Sequence, residues 1–458
     1  MNAAGPIPHA GSAAPQAEAG PYKGAMTTLG FHYFPDETHY RRADLQAWLP
    51  ELEAVGARWL TLIGSLTRAV PEPFIKGLFD AGIEPIIHLP AMPTRRDAQE
   101  SLAASLAVLF RTYARWGIKY VVAFSEPNSR AAWAPAEWGK AGLVERFLDM
   151  AVPVLVAQHE AGLRPTFPAL KAGGEYWDTA FLEASLAGLA KRGHADLLKQ
   201  MTFAVNLWTF NRPVDWGQGG LRRWPEARPY MTPPGSQDQR GFRIFEWYDE
   251  IIRDRVGETR PLLSLAAGPV LDNQLDPQFP PVNELWHASC IQEISQAAIA
   301  GDLPRNLLNV NFWLLAAPEG SPFAREAWYR TDGQTLTAVD ALKTATTHGM
   351  RVERRRTDEA KGLHMHGLST HPAAQSEKGF KHYVLLPTFE WGVSEWHWHA
   401  ALDYVRTKRP VCGFSPEEAL QAEHVTIFGN EQGISAEVEA ELRRAGCTVD
   451  RLRVAQEA

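Results

Sequence analysis

The residue most suited to acid–base chemistry is Glu126, in the run Phe124-Ser125-Glu126-Pro127-Asn128. It directly follows the apolar stretch Tyr120-Val121-Val122-Ala123, and Pro127 fixes a turn there. A carboxylate between apolar walls is held toward its protonated form, and such a group can donate a proton to a leaving oxygen. Aromatic residues recur at comparable places. Tyr33, Trp208 and Trp313 end three other apolar runs, and Trp133, Trp138 and Trp177 fall in the segments after the fourth and fifth runs. With 16 Trp in 458 residues, flat aromatic faces against the apolar face of a sugar ring are an expectation. A large core with indoles turned toward helices is the alternative. His32 and His88 end or follow apolar runs and are candidates to hydrogen-bond sugar hydroxyls, with Ser125, Asn128 and Asn206 beside them.

These residues need a scaffold that gathers run ends. Between residues 27 and 346 the sequence alternates short apolar runs with helical patterns. The runs begin at Leu29, Trp59, Pro85, Tyr120, Pro165, Thr202, Pro261 and Leu307. Leu45, Trp48, Leu49 and Leu52 show the helical spacing between the first two. Eight strand–helix units in this length predict an α/β fold, a (β/α)8 barrel, with its site at the C-terminal strand ends. A doubly wound sheet with a nucleotide loop is disfavoured, since Ile63-Gly64-Ser65 lacks further glycines. A Pro/Gly-rich excursion from Arg212 to Gly241 is expected to serve as a lid, a wall or a partner surface. A helix from Val144 to Glu160 is expected to break or kink near Pro153.

At these residues the chain resembles the retaining glycoside hydrolases of clan A. In that family the fourth strand ends in Asn-Glu-Pro and the Glu is the acid/base; here Ser125 stands in the Asn position. Gly30-Phe31-His32-Tyr33 is similar to the opening strand, Asn206-Leu207-Trp208 to strand six, and Asn311-Phe312-Trp313 to the strand-eight tryptophan. Asp332-Gly333 followed by Ala341-Leu342-Lys343 is similar to the closing pattern. The resemblance implies carbohydrate binding, with Glu126 as proton donor. It also implies a nucleophilic Glu on strand seven, where the chain has Leu265-Ala266-Ala267-Gly268. Ala266 occupies that slot, and a methyl group cannot attack an anomeric carbon. Retention needs carboxylates about 5–5.5 Å apart and inversion about 6.5–9.5 Å. Three readings stay open. Asp272 reaches back as second carboxylate; a loop carboxylate such as Asp36, Glu175 or Glu319 activates water; or the barrel binds glycans without cleaving them. A barrel enzyme of unrelated chemistry would require a phosphate pocket, for which Gly268-Pro269 is a slight cue.

Residues 1–26 are expected to be a disordered leader; no basic start precedes an apolar run, so a standard secretion signal is not recognised. Residues 347–380 are expected to be a polar linker, and residues 381–458 a small α/β domain of strands at Tyr383, His424 and Thr448 with helices between them. From Pro410 to Cys447 this last segment resembles accessory and cell-wall-binding domains of bacterial cell-wall hydrolases. That implies attachment to a surface polymer and an extracellular or cell-surface site; a small domain that stabilises the barrel is the alternative. A net charge of −7, from 46 Lys+Arg and 53 Asp+Glu, argues against nucleic acid, and no apolar run is long enough to insert in a membrane. No cofactor is expected. His364-x-His366 and His397-x-His399 lack further ligands at zinc spacing, so no metal is expected either. Of three cysteines, Cys290 is expected as a buried thiol, while Cys412 and Cys447 are close enough in sequence to pair.

Overall fold

The computed structural model describes residues 26–91, 96–346, 378–389, 392–393 and 395–452. They fall into two compact units. In the first, eight parallel strands form one sheet: β1 (Thr28–His32), β2 (Trp59–Ile63), β3 (Glu84–Leu89), β4 (Tyr120–Ala123), β5 (Thr166–Phe167), β6 (Thr202–Trp208), β7 (Leu262–Gly268) and β8 (Asn309–Phe312). Their order is β4-β3-β2-β1-β8-β7-β6-β5. A parallel bridge between Tyr120 and Arg164 brings β4 and β5 together and nearly closes the barrel. The (β/α)8 reading is therefore correct.

Strand periodicity sorts the side chains. Residues two apart share a face, so Ile86, Val122, Ala204, Leu263 and Leu265 form the barrel interior. The alternate residues Phe31, Leu60, Leu62, Ile87, Val121, Phe203 and Val205 turn outward to the helices. The interior is not wholly apolar. Asn311 Nδ2 donates to Thr61 Oγ1 (2.8 Å), Thr61 Oγ1 to the Leu265 carbonyl (3.1 Å), and Asn309 Nδ2 to the Ser264 carbonyl (2.8 Å). These bonds meet an irregularity in β7. Val205 pairs with Ser264 but Asn206 pairs with Ala266, which leaves Leu265 as an extra residue. A bulge leaves backbone groups without ladder partners, and the interior Thr and Asn side chains supply them.

The helix Leu143–Glu160 runs through Pro153 without a break. The fifth strand is shorter than the Pro165–Leu170 run suggests. The excursion after β6 is ordered. Arg212, buried, donates to Asp276 (2.9 Å) and Asp238 (2.7 Å), and Asn211 binds the carbonyls of Asp276 and Phe279. These bonds fasten it to the loop after β7. Removing both acids would strand a buried guanidinium, a change that costs about 3–5 kcal/mol.

The second unit has a four-stranded parallel sheet of β9 (Phe380–Leu385), β12 (Val411–Gly413), β13 (Ala422–Phe428) and β14 (Thr448–Leu452), in the order β12-β9-β13-β14. A two-residue pair, β10 (Thr388–Phe389) and β11 (Gly392–Val393), lies between β9 and the helix Glu395–Lys408. Ser415 caps the helix at Pro416 by accepting from Glu418 N (3.2 Å), and Ser435 caps the helix at Ala436 in the same way. Cys412 and Cys447 are free. Cys412 lies on one edge strand and Cys447 just before the other, so about three 4.8 Å strand spacings separate them, beyond the ~7 Å Cα limit of a disulfide. His397 and His399 sit on a helix. Residues two apart there point to opposite sides, and His397 is buried while His399 is exposed. His364 and His366 lie outside the described residues, as do nearly all of the leader and linker positions.

Candidate functional site

The C-terminal ends of the barrel strands surround a cavity of about 580 Å3. Of the predicted site residues it collects His32, His88, Ser125, Glu126, Asn206, Trp208 and Trp313, with Ala266 in the wall. Each arrives from an inward-facing strand position or from the residues just past a strand end.

Glu126 is set by the backbone after β4. Phe124 and Glu126 both adopt left-handed φ (71° and 48°), a conformation that costs a non-glycine residue about 1 kcal/mol. Phe124 N bonds to the Leu89 carbonyl (2.8 Å) and Glu126 N to the Ala169 carbonyl (3.0 Å), which holds both turns. The Glu126 side chain thus enters the mouth, where Asn206 Nδ2 approaches Oε1 at 3.4 Å. Burial pushes its carboxyl above the ordinary range; the more distant Lys171 and the Asn206 contact pull the other way and are outweighed. Lys171 itself engages Glu175 (3.3 Å).

Burial, aided by the neighbouring His88, lowers His32 to about 3, and burial lowers His88 to about 4 despite its Nε2 contact with the Phe124 carbonyl (3.2 Å). Both are therefore neutral imidazoles at neutral pH. His32 Nδ1 and His88 Nδ1 are buried without partners. Trp313 meets Trp208 edge-to-face at 6.0 Å and His32 at 4.6 Å. Its indole N–H donates to Glu326 Oε2.

Several predicted residues lie elsewhere. Tyr33 follows His32 by one position, so when His32 faces in, Tyr33 faces out. It packs fully buried against Phe34, Tyr40 and Phe74. Asn128 is a staple, not a mouth residue: its side chain donates to the Lys171 and Tyr176 carbonyls (both 2.9 Å) and accepts from Lys171 N (2.8 Å). Asp272 is exposed, pairs with Arg325 (2.9 Å), and does not line the cavity. Asp36 binds Thr38 and His39 within its own turn. Glu175 accepts from Arg130 N and Lys171, which hold it near 2, and Glu319 is exposed; neither lines the cavity. Trp133 donates to the Pro127 carbonyl (2.7 Å), Trp177 stacks under Arg240, and half-buried Trp138 packs on the core. None of residues 212–241 lines the cavity.

The residue that sequence reasoning missed is Glu326. It stands in the loop after β8, which Trp328 N and Tyr329 N fasten to the Leu314 and Leu315 carbonyls (2.9 and 3.0 Å). It lines the cavity, and burial raises its carboxyl, opposed by the bond from Trp313. The only sequence cue was a Glu preceding the apolar pair Ala327-Trp328. Phe210, with left-handed φ, and half-exposed Phe323 complete the aromatic wall.

Among the described residues no group of three His, Cys, Asp or Glu is placed to hold a metal ion. No helix among them is long and apolar enough to cross a membrane.

No protein-family model and no curated protein matches the chain. Similar solved structures include a family 39 glycoside hydrolase from Bacteroides cellulosilyticus WH2, at 11% identity over 70% of this chain, with a TM-score of 0.49. This chain spans 63% of that enzyme. A monomeric beta-xylosidase from Caulobacter crescentus CB15 is 15% identical over 70% of this chain and 69% of its own, with a TM-score of 0.44. Bacteroides uniformis beta-glucuronidase 2 is 10% identical over 70% and 35%, with a TM-score of 0.45. At such likeness, what the mouth does has to be read from its own residues.

Proposed function

We propose that the barrel mouth binds a carbohydrate chain. Trp208 and Trp313 present aromatic faces to the sugar rings. The Glu126 carboxyl, pushed toward its acid form by burial, hydrogen-bonds a sugar oxygen. The neutral His32 imidazole offers one donor and one acceptor, while His88, whose Nε2–H is given to the Phe124 carbonyl, offers Nδ1 as an acceptor. The observation that carries this reading is the pairing of a half-buried Glu126, whose carboxyl burial pushes upward, with a tryptophan-walled cavity of sugar size. Pockets that bury a ligand against apolar walls with a few placed polar groups are the usual form of small-molecule sites.

Hydrolysis is the second reading. In it Glu126 protonates the glycosidic oxygen while a carboxylate across the mouth activates water. Glu326 is the other carboxylate among the described lining residues. Ala266 and the outward Asp272 speak against the retaining arrangement. Calorimetry and reducing-end release on one set of tetrasaccharides separate the two readings. Binding without new reducing ends supports recognition alone. Release of reducing ends that Glu126→Gln abolishes supports hydrolysis. Absence of binding to any tetrasaccharide rejects the carbohydrate reading. Attachment to a surface polymer through the second unit stays a proposal of the sequence resemblance.

A further inference from the structure

We infer that the mouth selects glycans carrying free amines, that is, chains containing unacetylated hexosamine units, and that Glu326 is the residue that determines this selectivity by pairing with the sugar ammonium. The inference rests on the reading of the mouth as a carbohydrate site and names the class of sugar it takes.

The charge of the mouth favours an ammonium. The described lining contains two carboxylates and no Lys or Arg. Glu326 has the Trp313 indole as its partner, not a cation. Glu126 has Asn206 at 3.4 Å, and Lys171 is engaged by Glu175. The imidazoles supply no positive charge either, since burial keeps both neutral. A uronic acid or sulfated sugar would bring a further negative charge to a wall with no Lys or Arg among its described residues. An ammonium would meet the Glu326 carboxylate, which has no cation among the described lining residues, and charge-assisted hydrogen bonds are about twice as strong as neutral ones.

The placement of Glu326 favours the same group. Glu326 is half-buried beside the Trp313 ring and Phe323, so a sugar stacked on Trp313 places its substituents near that carboxylate. His32, 3% exposed with Nδ1 unpartnered, lines the same cavity 4.6 Å from the Trp313 ring. It leaves a polar atom for a ligand hydroxyl to satisfy. Binding a cation would also favour the charged form of a carboxyl that burial otherwise holds up.

The test is calorimetry on the full chain at about pH 6, where sugar amines are largely protonated and histidine-range groups titrate. The probes are glucosamine tetrasaccharide, its N-acetylated counterpart, cellotetraose and a galacturonate trisaccharide. The expected order puts the glucosamine tetramer about tenfold or more ahead of cellotetraose, with the galacturonate weakest. Glu326→Gln retains an oxygen to accept from Trp313 but loses the charge; it should bring the ratio of glucosamine-tetramer to cellotetraose affinity down to about one. The order among the four probes is read on the wild-type chain and does not depend on the variant folding. Equal affinity for cellotetraose or the N-acetylated chain, or an unchanged ratio in the variant, would overturn the selectivity and leave carbohydrate binding intact. No binding of any probe would overturn both.

Discussion

Placing a carboxylate at residue 266 is the sharpest probe of the mouth's geometry. Ala266 lines the cavity and pairs in register with Asn206, whose amide reaches Glu126 at 3.4 Å. A Glu at 266 would therefore set its carboxylate on the order of 6 Å from that of Glu126. At an effective dielectric of about 20, two charges at that distance repel by about 2.8 kcal/mol, or about 2 pH units. The like charge disfavours ionisation, so the titration of Glu126, already high, should move further up. Ala266→Gln has nearly the same volume and no charge, so the difference between the two variants isolates the electrostatic effect from overpacking. Carboxyl 13C NMR through a pH series, with Glu126→Gln to assign the resonance, reads the shift. A Glu126 titration that is the same in Ala266→Glu and Ala266→Gln would refute the placement of residue 266 against Glu126.

Other expectations follow from the same contacts. Glu126→Gln should gain stability relative to wild type as pH rises, because a carboxyl whose folded value is raised makes the native state less stable through that rise; melting temperatures between about pH 4 and pH 8 report it. Asn128→Ala removes three buried hydrogen bonds between the loops after β4 and β5 and should lower stability by about 2–4 kcal/mol in denaturant unfolding. Gly30→Ala would put a methyl 2.3 Å from both Asn311 Oδ1 and the Trp59 carbonyl, so it should destabilise by about 3 kcal/mol or fail to fold. Trp313→Phe keeps an aromatic face but removes the N–H that Glu326 accepts, so the Glu326 carboxyl should titrate higher than in wild type.

The barrel was legible because its signal is repetition. Apolar runs separated by helical spacing gave eight strands, and the start of β6 at Thr202 and its end at Trp208 follow the sequence run itself. The single carboxylate Glu126 was legible for the same reason, since it ends a run. What escaped the sequence depends on facts one residue wide. The parity that turns Tyr33 outward follows once His32 is known to face in, but nothing in Gly30-Phe31-His32-Tyr33 marks which of the two faces in. The bulge at Leu265 is invisible in Leu262–Gly268, where every side chain is small or aliphatic. Asn128 looked like a ligand beside Glu126, whereas three backbone groups consume its amide. β12 is a three-residue edge strand whose Val411-Cys412-Gly413 has no alternation to read. Glu326 lies in a loop, and no periodicity orders loop residues; only the fastening of Trp328 to Leu314 brings it to the mouth.

Carbohydrate binding at the mouth is decided by a crystal structure of the protein with glucosamine tetrasaccharide or cellotetraose. A sugar ring is expected to stack on Trp313 or Trp208, with a sugar oxygen within hydrogen-bond distance of the Glu126 carboxyl and, for the glucosamine chain, an amine on Glu326. Saturated crystals with an empty mouth, or with sugar bound only at another surface, would contradict it.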